Sequence, residues 1–223
     1  MSLLPLRLRR PVAAAVLLAG LAASAPLAAQ PPLSPSAVAR EAPQLADLLA
    51  LQPGMTIAEI GAGHGEMSVA LAKQVGPKGL VYATELDPGR LADIRRAAAR
   101  AKLDNVKVVQ GATDSTRLPD ACCQAIFMRE VYHHFTDPAA MDASLYKALQ
   151  PNGLLAVIDF APSGGTPPPG VPASRGGHGV PMDVVIREMH DAGLQLAREI
   201  PDWGDGLYAI LFQKIPRPRP ASR

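Results

Sequence analysis

The feature that most constrains the fold of this chain is a regular alternation of strand-like and helix-like segments after residue 52. Short apolar runs such as MTIAEIG at 55–61 and GLVYATEL at 79–86 alternate with longer segments of helical periodicity. This alternation predicts a parallel sheet with helices packed on both of its faces. We therefore expect an α/β fold with a doubly wound, mostly parallel seven-stranded sheet, in which the last strand is antiparallel.

Capping residues and periodicity place the other elements. Asp87-Pro88 and Asp137-Pro138 each put an N-cap residue before a proline at the first helical position. NVKVVQ, QAIFMRE and LLAVIDF supply three more strands, and LQLAREI with LYAILFQKI completes the sheet as a hairpin. Residues 161–181 break the pattern with many Pro and Gly residues. A loop of this length is unusual unless it is functional, for example as a lid, or disordered.

The N-terminal 29 residues have the three parts of a secretory signal peptide. Three arginines within the first ten residues precede an apolar run at 12–23, and Ala25 and Ala29 suit a cleavage site. An uncleaved anchor is one alternative. Twin-arginine export is another, although the residues after the arginine pair match that pattern poorly. We expect export to the periplasm or the medium, with no stable membrane span after cleavage.

Beyond this signal, we expect an N-terminal lead and helix at 30–52, one domain at 53–215 and a disordered tail at 216–223. The chain has a formal net charge of +2, and loss of the three signal arginines leaves −1, a balance that does not favour nucleic acid as a partner. The two cysteines, Cys122 and Cys123, form no disulfide framework. We interpret them as small apolar residues at the start of a buried strand rather than as a metalloid-binding pair.

The segment AEIGAGHGEMS at 58–68 places three glycines between a predicted strand and a predicted helix. Such a turn lets a ligand approach the backbone closely at the carboxyl end of a parallel strand. A dinucleotide turn has the spacing G-x-G-x-x-G, whereas here the third glycine comes one residue early and Glu66 follows it. Spacing and charge therefore argue against a pyrophosphate ligand and a nicotinamide-dependent oxidoreductase.

Carboxylates around the turn define the ligand further. Glu59 precedes the turn, and Glu85 ends the next predicted strand, where an acid typically binds ribose hydroxyls. Carboxylates disfavour a phosphate group and suit a cationic one. The expected ligand therefore has a ribose, a positive group and no phosphate, and S-adenosyl-L-methionine has all three properties.

With these motifs the chain resembles the class I S-adenosylmethionine-dependent methyltransferases, in particular the small type 11 group. The pattern E-x-G-x-G-x-G, then VYATELDP, MREVYHHFTDP and LQPNGLLAVIDF, occurs in the order and spacing of that family over about residues 45–214. The resemblance implies a Rossmann-like methyltransferase fold and S-adenosyl-L-methionine as cofactor.

The resemblance also implies a set of cofactor contacts. The implied cofactor-binding residues are Glu59, Gly61, Ala62, Gly63, Gly65, Glu85, Leu86, Thr113, Asp114 and Glu130. In this set the glycines and Glu59 line the methionine moiety, Glu85 binds the ribose, and Glu130 lies beside the methyl end. The family often has an acid where this chain has Ala112, so either Asp114 faces the adenine amino group or backbone groups hold the adenine.

Three residues near the ends of the fourth and fifth predicted strands are candidates for catalysis: His133, His134 and Asp159. A general base is one interpretation of the histidines, since imidazole titrates near neutrality. Packing in the cofactor pocket is the other. Adjacent histidines point in different directions on most backbones, and metal ligands more often come at helical or alternate spacing, so we expect no metal site.

The sequence predicts an enzyme that transfers a methyl group from S-adenosylmethionine to a small-molecule acceptor by in-line displacement. The sulfonium is already activated, so the protein needs mainly to align the reactants and exclude water. Because S-adenosylmethionine is made inside cells, an exported chain has a second interpretation. It would then be a non-catalytic protein that binds adenosylmethionine or another nucleoside on the same scaffold.

Overall fold

The computed structural model describes residues 31–216 of the chain. The predicted signal peptide at 1–29 lies outside these residues, and so does the predicted tail at 216–223 apart from Pro216. Among the described helices, none combines the length and the apolar character that crossing a membrane requires.

The described residues form five α-helices, seven strands and two short 3₁₀ turns. The helices are α1 (Pro35–Leu48), α2 (Glu66–Val75), α3 (Pro88–Arg100), α4 (Pro138–Ala148) and α5 (Met182–Asp191). The strands are β1 (Thr56–Ile60), β2 (Leu80–Glu85), β3 (Val106–Gln110), β4 (Cys123–Arg129), β5 (Leu149–Asp159), β6 (Gln195–Gly204) and β7 (Leu207–Gln213). The 3₁₀ turns are Tyr132–His134 and Ala173–Arg175.

The seven strands form one sheet in the order β3-β2-β1-β4-β5-β7-β6. Strands β1 to β5 pair with one another only in parallel, and β7 is antiparallel to both β5 and β6. The predicted doubly wound, mostly parallel sheet with an antiparallel last strand is confirmed. The strand order reverses between β1 and β4, and ligands of open parallel sheets bind beyond the carboxyl ends of strands at such a point.

Both faces of the sheet are buried because successive side chains of each strand point to opposite sides. On β4, Ile126 and Met128 pack with apolar residues of α4 and α5, whereas Ala125 and Phe127 pack with those of α1 and α2. Burial on both faces explains why the central strands are continuous apolar runs rather than alternating ones.

The two Asp-Pro pairs begin helices as predicted. Oδ1 of Asp87 accepts a hydrogen bond from the N–H of Arg90 over 2.8 Å, and Oδ1 of Asp137 accepts one from Ala140 over 3.1 Å. These bonds satisfy backbone donors that have no partner within the first helical turn. They also fix where the loops after β2 and β4 end.

The adjacent cysteines lie at the start of β4. Cys123 is fully buried and Cys122 is half-buried, which agrees with their interpretation as small residues of a buried strand. The structure bonds the two sulfur atoms to each other. A disulfide between neighbours closes only a small ring, so it does not link distant parts of the chain.

Candidate functional site

The turn between β1 and α2 holds its backbone in conformations that favour glycine. Gly61, Gly63 and Gly65 have φ values of +70°, +55° and +90°, in the left-handed region that other residues rarely adopt. The N–H of Ala62 donates a hydrogen bond to the carbonyl of Thr84 over 2.8 Å. The turn is therefore fastened to the carboxyl end of β2.

The three glycines differ in what a Cβ atom would meet. At Gly61 it would lie 2.5 Å from Cγ2 of Val131, and at Gly65 it would lie 3.1 Å from the backbone of Ile94. At Gly63 it would meet nothing within 4 Å. Gly61 and Gly65 thus allow close packing against neighbouring elements, whereas Gly63 faces open space that a ligand can occupy.

Glu85 at the end of β2 is buried, and backbone amides fix its carboxylate. Oε2 accepts a hydrogen bond from the N–H of Gly63 over 3.0 Å. Oε1 accepts from the N–H groups of Leu86 and Asp87, over 2.7 Å and 3.3 Å. Each carboxylate oxygen has about two lone pairs, so Oε2 retains one for a further donor beside the turn, and its contact with a ribose hydroxyl stays a prediction.

Glu59 lies beneath the turn and is only 5% exposed. Its Oε2 accepts a hydrogen bond from the hydroxyl of Ser68 on α2. Burial raises the pKa of Glu59 to about 8, against the lowering effect of the Ser68 hydrogen bond, and the charge of Glu66 adds to the rise. The carboxyl group is therefore largely protonated at neutral pH, and a cationic ligand beside it would favour its ionised form.

Two loops border Glu85 on the side away from β1. Leu86, directly after Glu85, exposes 49% of its surface, and its contact with the cofactor stays a prediction. Thr113 and Asp114 are exposed in the loop after β3, where the N–H of Ala112 donates to the carbonyl of Ser115 over 2.8 Å. The contact of Asp114 with adenine stays a prediction.

Glu130, directly after β4, has a φ of +54°, a left-handed conformation that is uncommon for a residue with a side chain. Its carboxylate pairs with Arg129, whose guanidinium also donates two hydrogen bonds to the buried Glu41 of α1. Residues in such sparsely populated conformations cluster at functional sites. This observation fits the predicted place of Glu130 beside the cofactor, which stays a prediction.

His133 and Asp159 form a fully buried pair beyond β4 and β5. Nδ1 of His133 lies 2.8 Å from Oδ1 of Asp159, and the backbone N–H of His133 donates to Oδ2 over 3.2 Å. Asp159 thus favours the imidazole tautomer with the proton on Nδ1, and Nε2 has no hydrogen-bond partner. The oxygens of Asp159 are engaged inside the protein, and the part of Asp159 in catalysis stays a prediction.

His134 and His178 bring two more imidazole rings to His133. The ring centroid of His133 lies 4.0 Å from that of His134 and 4.9 Å from that of His178. The expectation that the adjacent histidines point apart is wrong, because the tight 3₁₀ turn brings their rings together. Burial lowers the pKa of His134 to about 4, and the nearby His133 contributes to the lowering. His134 is therefore a neutral imidazole at neutral pH.

The 161–181 loop has defined anchors beside these histidines. Arg175 is 2% exposed and donates to the carbonyl of Tyr132 over 3.1 Å and to Oε2 of Glu188 over 2.6 Å. The hydroxyl of Tyr208 donates to the carbonyl of Val180 over 2.8 Å. The loop is thus fastened to α5, β7 and the first 3₁₀ turn. Its closure as a lid stays a prediction.

Comparisons with known proteins agree with this geometry. A family model described as a methyltransferase domain matches residues 58–157, from β1 through most of β5. A ubiquinone/menaquinone biosynthesis C-methyltransferase from Marinomonas sp. (strain MWYL1) is 28% identical over 112 residues, which make up 50% of this chain and 45% of that protein. The chain spans about half the length of the curated relatives it matches.

Solved structures share the fold at low sequence identity. A SAM-dependent methyltransferase from Aquifex aeolicus has a TM-score of 0.66 at 23% identity, over 82% of this chain and 100% of its own. The chain has a methyltransferase fold. The domain match and the methyltransferase relatives show that about half of this chain is similar in sequence to methyltransferases. The [4+2]-cyclase SpnF has a TM-score of 0.67 at 16% identity, over 81% of this chain and 82% of its own.

Proposed function

We propose that this chain binds S-adenosylmethionine across the turn 61–65 and transfers its methyl group to a small-molecule acceptor. The observation that carries the proposal is the open space at Gly63, with the carboxylate of Glu85 fixed 3.0 Å from the N–H of that residue. A ribose bound by Glu85 directs the rest of the cofactor past Gly63 toward Glu59 and Glu130. The match of residues 58–157 to a methyltransferase domain supports this assignment.

Few catalytic groups are required of the chain itself. The sulfonium of the cofactor supplies an already activated methyl group. The chain holds the acceptor in line with that group and excludes water, and alignment of this kind lowers a barrier by roughly 7–11 kcal/mol. Where the acceptor must lose a proton, a general base is required, and the lowered pKa of His134 makes its neutral ring a weak one.

A small organic acceptor is the class that the chemistry favours. One matched relative is named as a C-methyltransferase of ubiquinone and menaquinone biosynthesis, so its acceptor is a small molecule. The near-neutral charge of the chain outside the signal segment does not favour a nucleic acid. The rings of the exposed His178 and the half-buried Phe160, whose centroids lie 5.1 Å apart, offer an aromatic wall to such an acceptor.

Calorimetric titration of the full chain with S-adenosylmethionine and S-adenosylhomocysteine tests the cofactor assignment. We expect one saturable site per chain. Glu85→Gln should weaken binding by about 1–3 kcal/mol, because ribose hydroxyls lose a charged acceptor. Glu199→Gln, at an exposed position of β6, is the matched control and should bind normally. Absence of binding by the folded chain would contradict the proposal, and unchanged affinity of Glu85→Gln would show that another residue anchors the ribose.

A second candidate is a non-catalytic protein that binds adenosylmethionine or another nucleoside. The predicted signal peptide favours it, since the cofactor is made inside cells. The likeness to a [4+2]-cyclase also shows that the fold accommodates chemistry other than methyl transfer. Binding of S-adenosylmethionine without methyl transfer across a broad panel of acceptors would favour this candidate over the first.

We also propose that the chain is exported to the periplasm or the medium. The proposal is supported by the three early arginines and the apolar run at 12–23. Mass spectrometry of the protein recovered from each cell fraction tests it. A mature N-terminus near residue 30 in the exported fraction is the expected result, and an intact N-terminus confined to the cytoplasm would contradict it.

A further inference from the structure

We propose that His133, His134 and His178 bind one divalent transition-metal ion of the Zn²⁺ class at the carboxyl edge of the sheet. One ring nitrogen from each of the three residues lies within 4.8 Å of the other two. Imidazole is a preferred ligand of Zn²⁺ and of neighbouring transition metals. The proposal does not depend on methyl transfer, because it concerns only what these side chains hold.

Two nitrogen atoms of this cluster are buried without a hydrogen-bond partner. They are Nε2 of His133, a residue with no exposed surface, and Nδ1 of His134. Buried polar atoms in folded proteins are nearly always satisfied, so an unpaired one requires an explanation. The described residues supply no partner for these two nitrogen atoms, and a bound cation would supply one.

Asp159 provides the support that a metal-binding histidine requires. Ligating histidines almost always donate their other ring N–H to a carboxylate or a carbonyl, which fixes the tautomer and orients the ring. Nδ1 of His133 lies 2.8 Å from Oδ1 of Asp159, and both side chains are fully buried. The arrangement therefore directs the unprotonated Nε2 of His133 away from Asp159 and makes it available as a ligand.

The cluster must contract slightly to hold an ion, and its geometry permits this. Zn²⁺ binds imidazole at about 2.0–2.1 Å, which in a tetrahedral site places the nitrogens roughly 3.4 Å apart. His178 is exposed and lies between Gly177 and Gly179, whose φ values are +121° and +107°. Hydrogen bonds with Ser163 and Gly164 hold the backbone of His178, so rotation of its exposed side chain brings the ring nitrogen inward while the loop stays anchored.

Three histidines leave one position of a tetrahedral ion open, as in catalytic rather than structural zinc sites. Val131, two residues before His133, packs against Gly61 of the glycine turn. On the proposed function, the open position takes an oxygen of the methyl acceptor and favours its deprotonated form. This last consequence rests on methyl transfer, whereas binding of the ion does not.

Titration of the full chain with Zn²⁺ alone tests the proposal, using protein that carries no polyhistidine tag and has been freed of metal with a chelator. We expect one ion per chain by calorimetry. Co²⁺, as a spectroscopic substitute, should give the visible absorption of tetrahedral coordination. His178→Ala should weaken Zn²⁺ binding by at least about tenfold. His190→Ala is the matched control, because His190 is an exposed histidine of α5.

Further variants guard against effects of misfolding. His133→Ala removes a fully buried ring, so the exposed His178 is the more informative position. Asp159→Asn should lower Zn²⁺ affinity by about tenfold and alter the Co²⁺ spectrum, since it disturbs the orientation of His133. Absence of Zn²⁺ binding, or equal affinity of wild type and His178→Ala, would overturn the proposal. Cofactor titration of the metal-free chain is independent, so loss of the metal site leaves the proposed function standing.

Discussion

Gly63 is the most important residue for the proposed binding of the cofactor across the turn 61–65. Its position is open in the structure, so replacing it with alanine fills space that the proposed function assigns to the cofactor. We expect Gly63→Ala to weaken S-adenosylhomocysteine binding by at least about tenfold, or ~1.4 kcal/mol. Calorimetric titration of the variant measures this loss.

Gly76→Ala is a matched control for the backbone strain. Gly76 follows α2, has a φ of +69°, and a Cβ there would also meet nothing within 4 Å. Both substitutions place a side chain at positive φ, and Gly76 with its ψ of 179° lies in a region that is essentially restricted to glycine, so Gly76→Ala should cost at least as much folding stability as Gly63→Ala. Equal binding by the two variants would show that the space at Gly63 is not used by the cofactor.

The buried carboxyl of Glu59 makes stability depend on pH. Below its unfolded pKa of 4.5 the group is protonated in both states, so its contribution to stability is fully present. As the pH rises toward about 8, the unfolded state releases a proton that the folded state retains. The free energy of unfolding then falls by up to about 1.4 kcal/mol per pH unit.

Glu59→Gln removes this titration and should flatten the pH dependence between about 4.5 and about 8. Urea denaturation of the cofactor-free protein at several pH values measures the slopes, with the exposed Glu199→Gln as the control. Identical slopes for wild type and Glu59→Gln would mean that Glu59 is ionised in the folded protein.

At the scale of elements, a buried ion pair docks α1 against the sheet. Glu41 is 1% exposed and accepts two hydrogen bonds from Arg129 at the end of β4. Glu41→Gln should destabilise the fold by up to about 3–5 kcal/mol, because Arg129 loses its buried partner. Asp205→Asn, which breaks the exposed pair with Arg40, should cost less than about 1 kcal/mol. Similar costs for the two variants in chemical denaturation would contradict this assignment.

The anchoring of the 161–181 loop makes a second prediction at this scale. Arg175→Met removes the bonds to Tyr132 and Glu188, so amide hydrogens in the loop should exchange faster while those of the sheet do not change. Arg187→Met, at an exposed position of α5, is the control and should leave the loop unaffected. Hydrogen exchange measured by mass spectrometry compares them, and an unchanged loop in Arg175→Met would contradict the anchoring role.

The sequence predicts most elements because each leaves a local signal. Asp87 and Asp137 begin helices by the capping chemistry expected of them. Two strands are longer than predicted. β5 begins at Leu149, ahead of the predicted strand LLAVIDF, and runs through a Pro-Asn-Gly segment, with a register shift in β4 opposite it. β6 continues through Pro201 because it is the edge strand, where a proline breaks no bond of the sheet interior.

The sequence predicts the site residues that follow strand ends, but it does not predict those that the 161–181 loop brings to the site. Glu59, Gly63 and Glu85 come together because parallel strands end at one edge of the sheet. His178 lies in a segment without periodicity, so no pattern places it beside His133, and only the folded loop brings the two rings together. The burial of Glu59 is likewise a property of packing against α2 rather than of its motif.

At the scale of the whole molecule, we propose that S-adenosylmethionine binds at the carboxyl ends of β1 and β2. A crystal structure of the full chain with S-adenosylhomocysteine tests this claim most directly. We predict ribose hydroxyls within hydrogen-bonding distance of Glu85, with the homocysteine passing Gly63. A ligand bound elsewhere, such as in the groove between α1 and β6 that Trp203 lines, would contradict the account and make the glycine turn a purely structural feature.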